Sequence, residues 1–401
     1  MTGIQERGGR AVVRHLITPE YPPQSGGVSD YTEQVAQGLA EAGEDVHVWC
    51  TTLAGPARTD GSVHIHPELG SITPADLRSV DEQLNRFPSP RRILVQWVPH
   101  GYRYRSMNLR FCTWLWSRSR RGDRIEIMVH EAFLAFARSW RQCAVALVHR
   151  VMTAILLQSA ERVWVSTPEC ERRWKPYRLG RRIPFQWQPV PTNIEVVDDP
   201  AGVQRVRNRY AAGGRLIGHF GTYGVPVVSV LEPILIKLAS ETSGEPSRAA
   251  ILLMGMGSQE FRTRQIQKSP ELSERLHATG PLSPADLSRH ISACDLMIQP
   301  YPDGVTSRRS SLMASLNHEK AIVTTAVPKT DPIWIESNAV ALAPAGDADA
   351  FVGLVNELCA DQAKRARLAQ AARTLYEDRF DIAHTVASLR LASSENLTCV
   401  S

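Results

Sequence analysis

The chain has 401 residues, of which 43% are hydrophobic and 22% charged, with a formal net charge of +5. One hydrophobic core rarely grows past roughly 250–300 residues, so two domains are expected. Composition is that of an ordinary soluble globular enzyme. The mild basicity suits an anionic small ligand, an anionic membrane surface or a nucleic acid, and alone selects none of them. Cysteines stand at 50, 112, 143, 170, 294, 359 and 399, with no Cys-x-x-Cys pair. That odd, scattered set argues against a disulfide framework or a structural zinc site, and fits a reducing cytoplasm. No apolar run reaches the roughly 18 residues a membrane span needs, and the opening MTGIQERGGR has no apolar signal core.

In chain order, Arg10 to Thr18 reads as a first strand, followed by a Pro/Gly loop and a helix over Asp30 to Ala42. In that helix Tyr31, Val35 and Leu39 recur at four-residue steps. Asp45–Cys50 reads as the second strand, and Ile93–Val98, Ile125–Val129 and Val163–Ser166 as later ones. His15 falls inside the first strand and reads as structural. The turn-rich stretch Pro189 to Gly214 marks a boundary, after which a second strand–glycine–helix series begins. Its strands are Leu216–Phe220, Ile251–Met254, Asp295–Gln299 and Ala321–Thr325, and Asp361 to Leu391 reads as helix. The alternation implies parallel sheets. We expect a domain over 1–196, a second over 197–375, and a helical tail over 376–401 that packs back toward the first.

Several stretches fall in a familiar order. They are ITPEYPPQSGGVSDYTEQVAQGLAEAGEDVHVW (17–49), VQWVPHGY (95–102), MVHEAF (128–133) and PVPTNI (189–194), then HFGTYG (219–224), LLMGMGSQEF (252–261), ATGPLSPADLSRHISACDLMIQPYPDGVTSRRSSLMASL (278–316) and AIVTT (321–325). Together they resemble the GT4-type family of GT-B glycosyltransferases, along nearly the whole chain. The resemblance implies an α/β chain of two facing Rossmann-like domains with a central cleft. It also implies a nucleotide-sugar donor on the carboxyl-terminal domain, transfer with retention, no metal and no cofactor. Polysaccharide biosynthesis is the expected setting, with a glycan, a lipid-linked acceptor or a small molecule receiving the sugar.

Such a transfer needs the diphosphate leaving group stabilised by donors aimed at its developing charge. The loop Asp303-Gly304-Val305-Thr306-Ser307-Arg308-Arg309-Ser310-Ser311 follows a strand and opens a helix, so backbone N–H groups and two guanidinium forks can supply them. The plainer reading pairs both arginines with local acids. By resemblance, Gly221, Gly255, Gly257, Ser258, Gly280, Leu282, Gly304, Val305, Ser310 and Ser311 line the donor. Gly26 and Gly27 allow a tight loop beside the diphosphate, with Ser29 or Asp30 as helix cap. His130-Glu131 ends the apolar strand IEIMV, and the resemblance sets His130 against the transferred sugar; a hydrogen-bonded structural histidine is the alternative. His100 has a similar placement.

Two departures stand out. The family often carries two acids eight residues apart here, but eight beyond Asp303 stands Ser311. The family also places a basic pair after the first strand of the second domain, whereas no Lys or Arg follows Phe220 until Lys237. A catalytically degenerate nucleotide-sugar or glycan-binding protein therefore stays open beside the enzyme, as does an epimerase on the same fold. A dinucleotide-binding oxidoreductase does not fit, for the first loop lacks Gly-x-Gly-x-x-Gly. The Arg- and Trp-rich region 103–141 carries two readings: a helix burying Phe111, Trp114 and Leu115, or an acceptor face that docks on anionic lipid at the inner membrane surface. No nucleic-acid module is visible.

Overall fold

The computed structural model describes residues 12–24, 26–51, 55–102, 106–211, 213–240 and 249–395. The chain divides into two compact units, one of residues 1–189 with 382–401, the other of residues 190–381.

The first unit is built on strands β1 (Val13–Ile17), β2 (Asp45–Trp49), β3 (Arg58–Asp60), β4 (Val63–His66), β5 (Arg92–Trp97), β6 (Arg124–Val129), β7 (Ala160–Val165) and β8 (Phe185–Trp187). Their order is β3-β4-β2-β1-β5-β6-β7-β8, and every pairing is parallel except β3 with β4. The central strands read as continuous apolar runs because helices cover both faces. Helices Pro74–Leu84, Leu109–Arg120 and Trp140–Ser159 bury Leu77, Val80, Leu84, Phe111, Leu115, Met152 and Leu156 in one core with Ile17, Val95 and Ile127. By length and composition, Trp140–Ser159 is apolar enough to cross a bilayer, alone among the described helices. Its buried face, including Ala146, His149, Met152, Leu156 and Leu157, belongs to this unit's interior.

The second unit holds β9 (Leu216–Phe220), β10 (Ala250–Met254), β11 (Leu276–Ala278), β12 (Leu296–Gln299), β13 (Ala321–Ala326) and β14 (Ala341–Pro344), all parallel, in the order β11-β10-β9-β12-β13-β14. In the parallel part of each sheet the order reverses once, between β1 and β5 and between β9 and β12. At such switch points the loops leaving the carboxyl ends of the two strands diverge and open a crevice.

The stretch Asp361 to Leu391 is two helices, not one. Gln362–Arg379 stops at Phe380, which is 1% exposed and stacks on Trp334 at 5.4 Å. Ile382–Glu395 then belongs to the first unit. There it lies on helix Gly27–Glu41, where a Cβ on Gly38 would meet Val386 Cγ2 at 2.6 Å. Arg14 of β1, 1% exposed, binds Glu44 at 3.0 Å and donates to the Leu389 carbonyl at 3.3 Å. Gln188 donates to Thr385 at 2.7 Å.

Candidate functional site

In the second unit the turn after β9 meets the turn after β10. Gly255 has φ +108°, and a Cβ there would lie 2.3 Å from the Gly221 carbonyl oxygen, so only glycine fits. Gly221 N–H donates to the Met254 carbonyl at 3.2 Å, and Gly255 N–H to that of Gly280 at 3.2 Å. Gly257, at φ +83°, opens the helix Ser258–Lys268, and buried Ser258 accepts from Gly280 N–H at 2.9 Å. Gly221, Gly255, Gly257, Ser258 and Gly280 thus form one interlocked set of turns, with Leu282 half-buried on the loop after β11. Beneath it His219 Nδ1 lies 3.0 Å from the Tyr223 hydroxyl, and burial pushes His219 down to about 3, so its imidazole is neutral.

The loop after β12 lies beside these turns. Tyr301, 5% exposed, shares a hydrogen bond with Ser311 at 3.0 Å, and burial pushes its phenol up to about 12. Ser311 Oγ stands 3.9 Å from where a Cβ on Gly221 would be. Gly304 has φ +77° and fits against Val327 and Thr330 of the loop after β13, a loop that also carries exposed Lys329. Val305 is buried and its N–H donates to the Thr325 carbonyl at 2.8 Å. Val305 therefore holds the loop to β13 through its backbone N–H.

Asp303 contacts both arginines: Arg309 Nη2 directly, and Arg308 Nη2 at 3.8 Å. The Arg309 guanidinium also lies 4.6 Å from the Tyr301 ring centroid. Yet Arg309 Nε and Thr306 Oγ1 are buried with no hydrogen-bond partner, and such groups are costly unless something pairs them. Arg309 is also the N-cap of helix Ser310–Asn317, which no side chain caps. The loop therefore combines two guanidinium groups, an uncapped helix start at Ser310 and two unsatisfied polar atoms. Lys237 lies on helix Val225–Ser240 and pairs with Asp349.

The first unit treats its glycine loop differently. Helix Gly27–Glu41 begins at Gly27, so Ser29 and Asp30 fall inside its first turn instead of capping it. The cap comes from Glu20, a residue the sequence reading missed. Its Oε1 accepts from the N–H groups of Val28 and Ser29, each at 3.1 Å. A Cβ on Gly26 would strike that oxygen at 2.4 Å. An anionic ligand reaches this helix start only by displacing a carboxylate.

His130 follows β6 and is 7% exposed. Its Nε2 lies 2.7 Å from Gln96 Oε1, and its ring meets Tyr31 edge-on at 4.9 Å. Burial pushes it down to about 3. Gln96 Nε2 is buried and has no hydrogen-bond partner. Gln96 was not singled out in the sequence, and Tyr31 reads there only as one of the periodic positions of its helix, since neither residue type marks a site by itself. Glu131 is exposed, and so is His100, which pairs with Ser106 at 2.7 Å. Along Trp140–Ser159 and the loop before it, Phe136, Trp140 and Leu147 are 58%, 74% and 58% exposed, while Phe111 and Leu115 are buried. Residues 103–105 of the Arg/Trp-rich region lie outside the described residues.

By sequence, the chain matches no family model and no curated protein. By structure it superposes on a sucrose-phosphate synthase from Thermosynechococcus elongatus with a TM-score of 0.73 at 16% identity, covering 98% of this chain and 100% of that one. Anabaena HepE in complex with UDP and glucose gives 0.67 at 15% identity, over 96% and 100%. A UDP-forming trehalose-phosphate synthase from Burkholderia xenovorans, in complex with glucose-6-phosphate, gives 0.69 at 11% identity, over 95% and 100%. The fold is GT-B. In GT-B terms, the β9/β12 switch point lies in the carboxyl-terminal Rossmann-like unit and the β1/β5 switch point in the amino-terminal one.

Proposed function

We propose that the chain is a glycosyltransferase that binds a nucleotide-sugar donor in its second unit, with Arg308, Arg309 and the start of helix Ser310–Asn317 receiving the diphosphate. The observation that carries the reading is the loop after β12: two cations, an uncapped helix start, and the unpaired Arg309 Nε and Thr306 Oγ1 meet at the switch point. Anabaena HepE, of like fold, is described in complex with UDP and with UDP-glucose, which supports a nucleotide sugar as ligand. Retention belongs to the same reading, and so does independence of metal, since cations and N–H groups supply the charge stabilisation that a metal otherwise brings. The acceptor is a glycan, a lipid-linked sugar or a small molecule. The exposed Phe136, Trp140 and Leu147 with Arg138 and Arg141 nearby suit peripheral contact with an anionic membrane on its cytoplasmic side.

The Asp303 contacts favour a second reading, a nucleotide-sugar-binding protein without turnover. Asp303 engages both arginines, and Ser311 stands bonded to Tyr301 where the family's second acid would hold ribose.

Calorimetric titration of UDP, GDP and ADP and their sugars tests both. Arg308→Ala with Arg309→Ala should weaken nucleoside-diphosphate binding by at least about tenfold and abolish transfer, each lost charge-assisted bond contributing ~1.5–3 kcal/mol. Asp303→Asn, which releases the arginines, should tighten binding. Unchanged affinity in both variants rules out the diphosphate site. Tight binding without transfer or donor hydrolysis selects the second reading.

A further inference from the structure

The sequences Asp45-Val-His47-Val-Trp49 and Val63-His64-Ile65-His66 each alternate with period two, so their polar positions share one face of the sheet. Parallel pairing sets His47 beside His64 and Trp49 beside His66. Asp45 Oδ1 lies 3.3 Å from His47 Nε2 and 3.5 Å from His64 Nε2. All three atoms fall within 4.8 Å of one another. Ligand atoms around a tetrahedral zinc, with bonds of ~2.0–2.1 Å, stand about 3.3 Å apart. His47 is 7% exposed, and its Nε2 is buried without a hydrogen bond even though the carboxylate is so near.

The outward nitrogens of both rings are engaged, which orients the inner ones. His47 Nδ1 lies 2.9 Å from His66 Nε2, and His66 Nδ1 lies 4.0 Å from Glu68 Oε2. His64 Nδ1 lies 3.4 Å from the Thr59 hydroxyl of β3. In the tautomer whose Nδ1–H donates outward, Nε2 of both His47 and His64 turns its lone pair toward Asp45. This is how protein metal sites fix their imidazole ligands.

We propose that Asp45, His47 and His64 form a zinc-type divalent metal site, with water in the fourth position and His66 and Glu68 orienting His47. Two imidazoles and one carboxylate suit zinc over the hard cations, which prefer oxygen throughout. Asp45 opens β2, so the site lies toward the amino ends of the strands, whereas His130 follows the carboxyl end of β6. The metal therefore ties β2 to β4 and takes no part in transfer.

The test uses the full chain, stripped with a chelator and dialysed, titrated with zinc against a chromophoric competitor and separately with cobalt(II). One equivalent should bind, cobalt should show the intense visible bands of a low-coordinate site, and zinc should raise the melting temperature. His64→Ala and Asp45→Asn change half-exposed residues and should leave the metal-free melting temperature near that of the parent. Each should weaken zinc binding at least about tenfold, and His66→Gln should weaken it by ~10–100-fold through His47. Substoichiometric uptake, or uptake that all three variants leave unchanged, overturns the proposal.

Discussion

At the scale of single residues, His130 and Arg309 show how partners decide a role. His130 is neutral down to about pH 3 because burial denies it a charge. A histidine that does not titrate near neutrality cannot shape a rate profile there. His130→Ala should lower the melting temperature, because Gln96 loses a buried partner worth on the order of 1–3 kcal/mol, while any pH–rate profile keeps its shape between pH 5 and 9. A limb present in the parent and absent from the variant would show that the imidazole does titrate in that range. The residue types of the site were legible in the sequence: glycines at turns, a histidine after an apolar strand, two arginines before a helix. Their partners were not. Asp303 lies close enough in sequence to Arg309 to be suspected, but the Gln96–His130 bond spans 34 positions and the Glu20 cap depends on how the loop between them folds.

At the scale of elements, the interlocked turns after β9, β10 and β11 depend on one backbone conformation. Gly255→Ala places a methyl 2.3 Å from the Gly221 oxygen at φ +108°. Backbone strain of this kind costs ~1–3 kcal/mol, and relief requires the β9 turn to move. We expect a lower melting temperature together with weakened nucleotide binding, measured by thermal shift and calorimetry on the same sample; intact affinity would mean the turns are not part of the ligand site. Central strands were readable as apolar runs, and Leu216–Phe220 falls where the sequence reading set it. The short edge strands β3, β8 and β11 were missed, since three residues carry too little pattern and pair only because a neighbour offers an unpaired edge. β4 was missed for another reason. Its alternate positions are His64 and His66, so half of its signal is polar, and only pairing with β2 explains why histidines sit there. The Asp361–Leu391 stretch shows the converse: both of its helices were legible as helix, but the break at Phe380 follows from a stacking contact with Trp334, 46 positions earlier.

At the scale of the whole molecule, the buried histidines set a common response to acid. Burial is the largest cause that pushes His15, His130 and His219 down to about 3 and His66 and His318 down to about 4, from an ordinary value of 6.5. The folded pKa lies below the unfolded one, so under about pH 6.5 the unfolded chain takes up protons that the folded chain refuses. Stability is therefore complete above that pH and falls as pH drops toward 4 and then 3. Melting temperatures recorded in chelator from pH 8 to pH 4 should hold steady and then decline below about 6.5; a flat curve to pH 4 would mean that the rings are charged in the folded state. The route of the chain has a consequence in time. Residues 190–381 form a unit from one continuous stretch, whereas the unit of residues 1–189 also takes in residues 382–401. A ribosome delivers residues 382–401 after residues 1–381. Until they emerge, the groove over Gly38 stays uncovered and the Arg14–Glu44 pair lacks the carbonyl of Leu389. The unit begun first is thus completed only after residues 190–381 have been made.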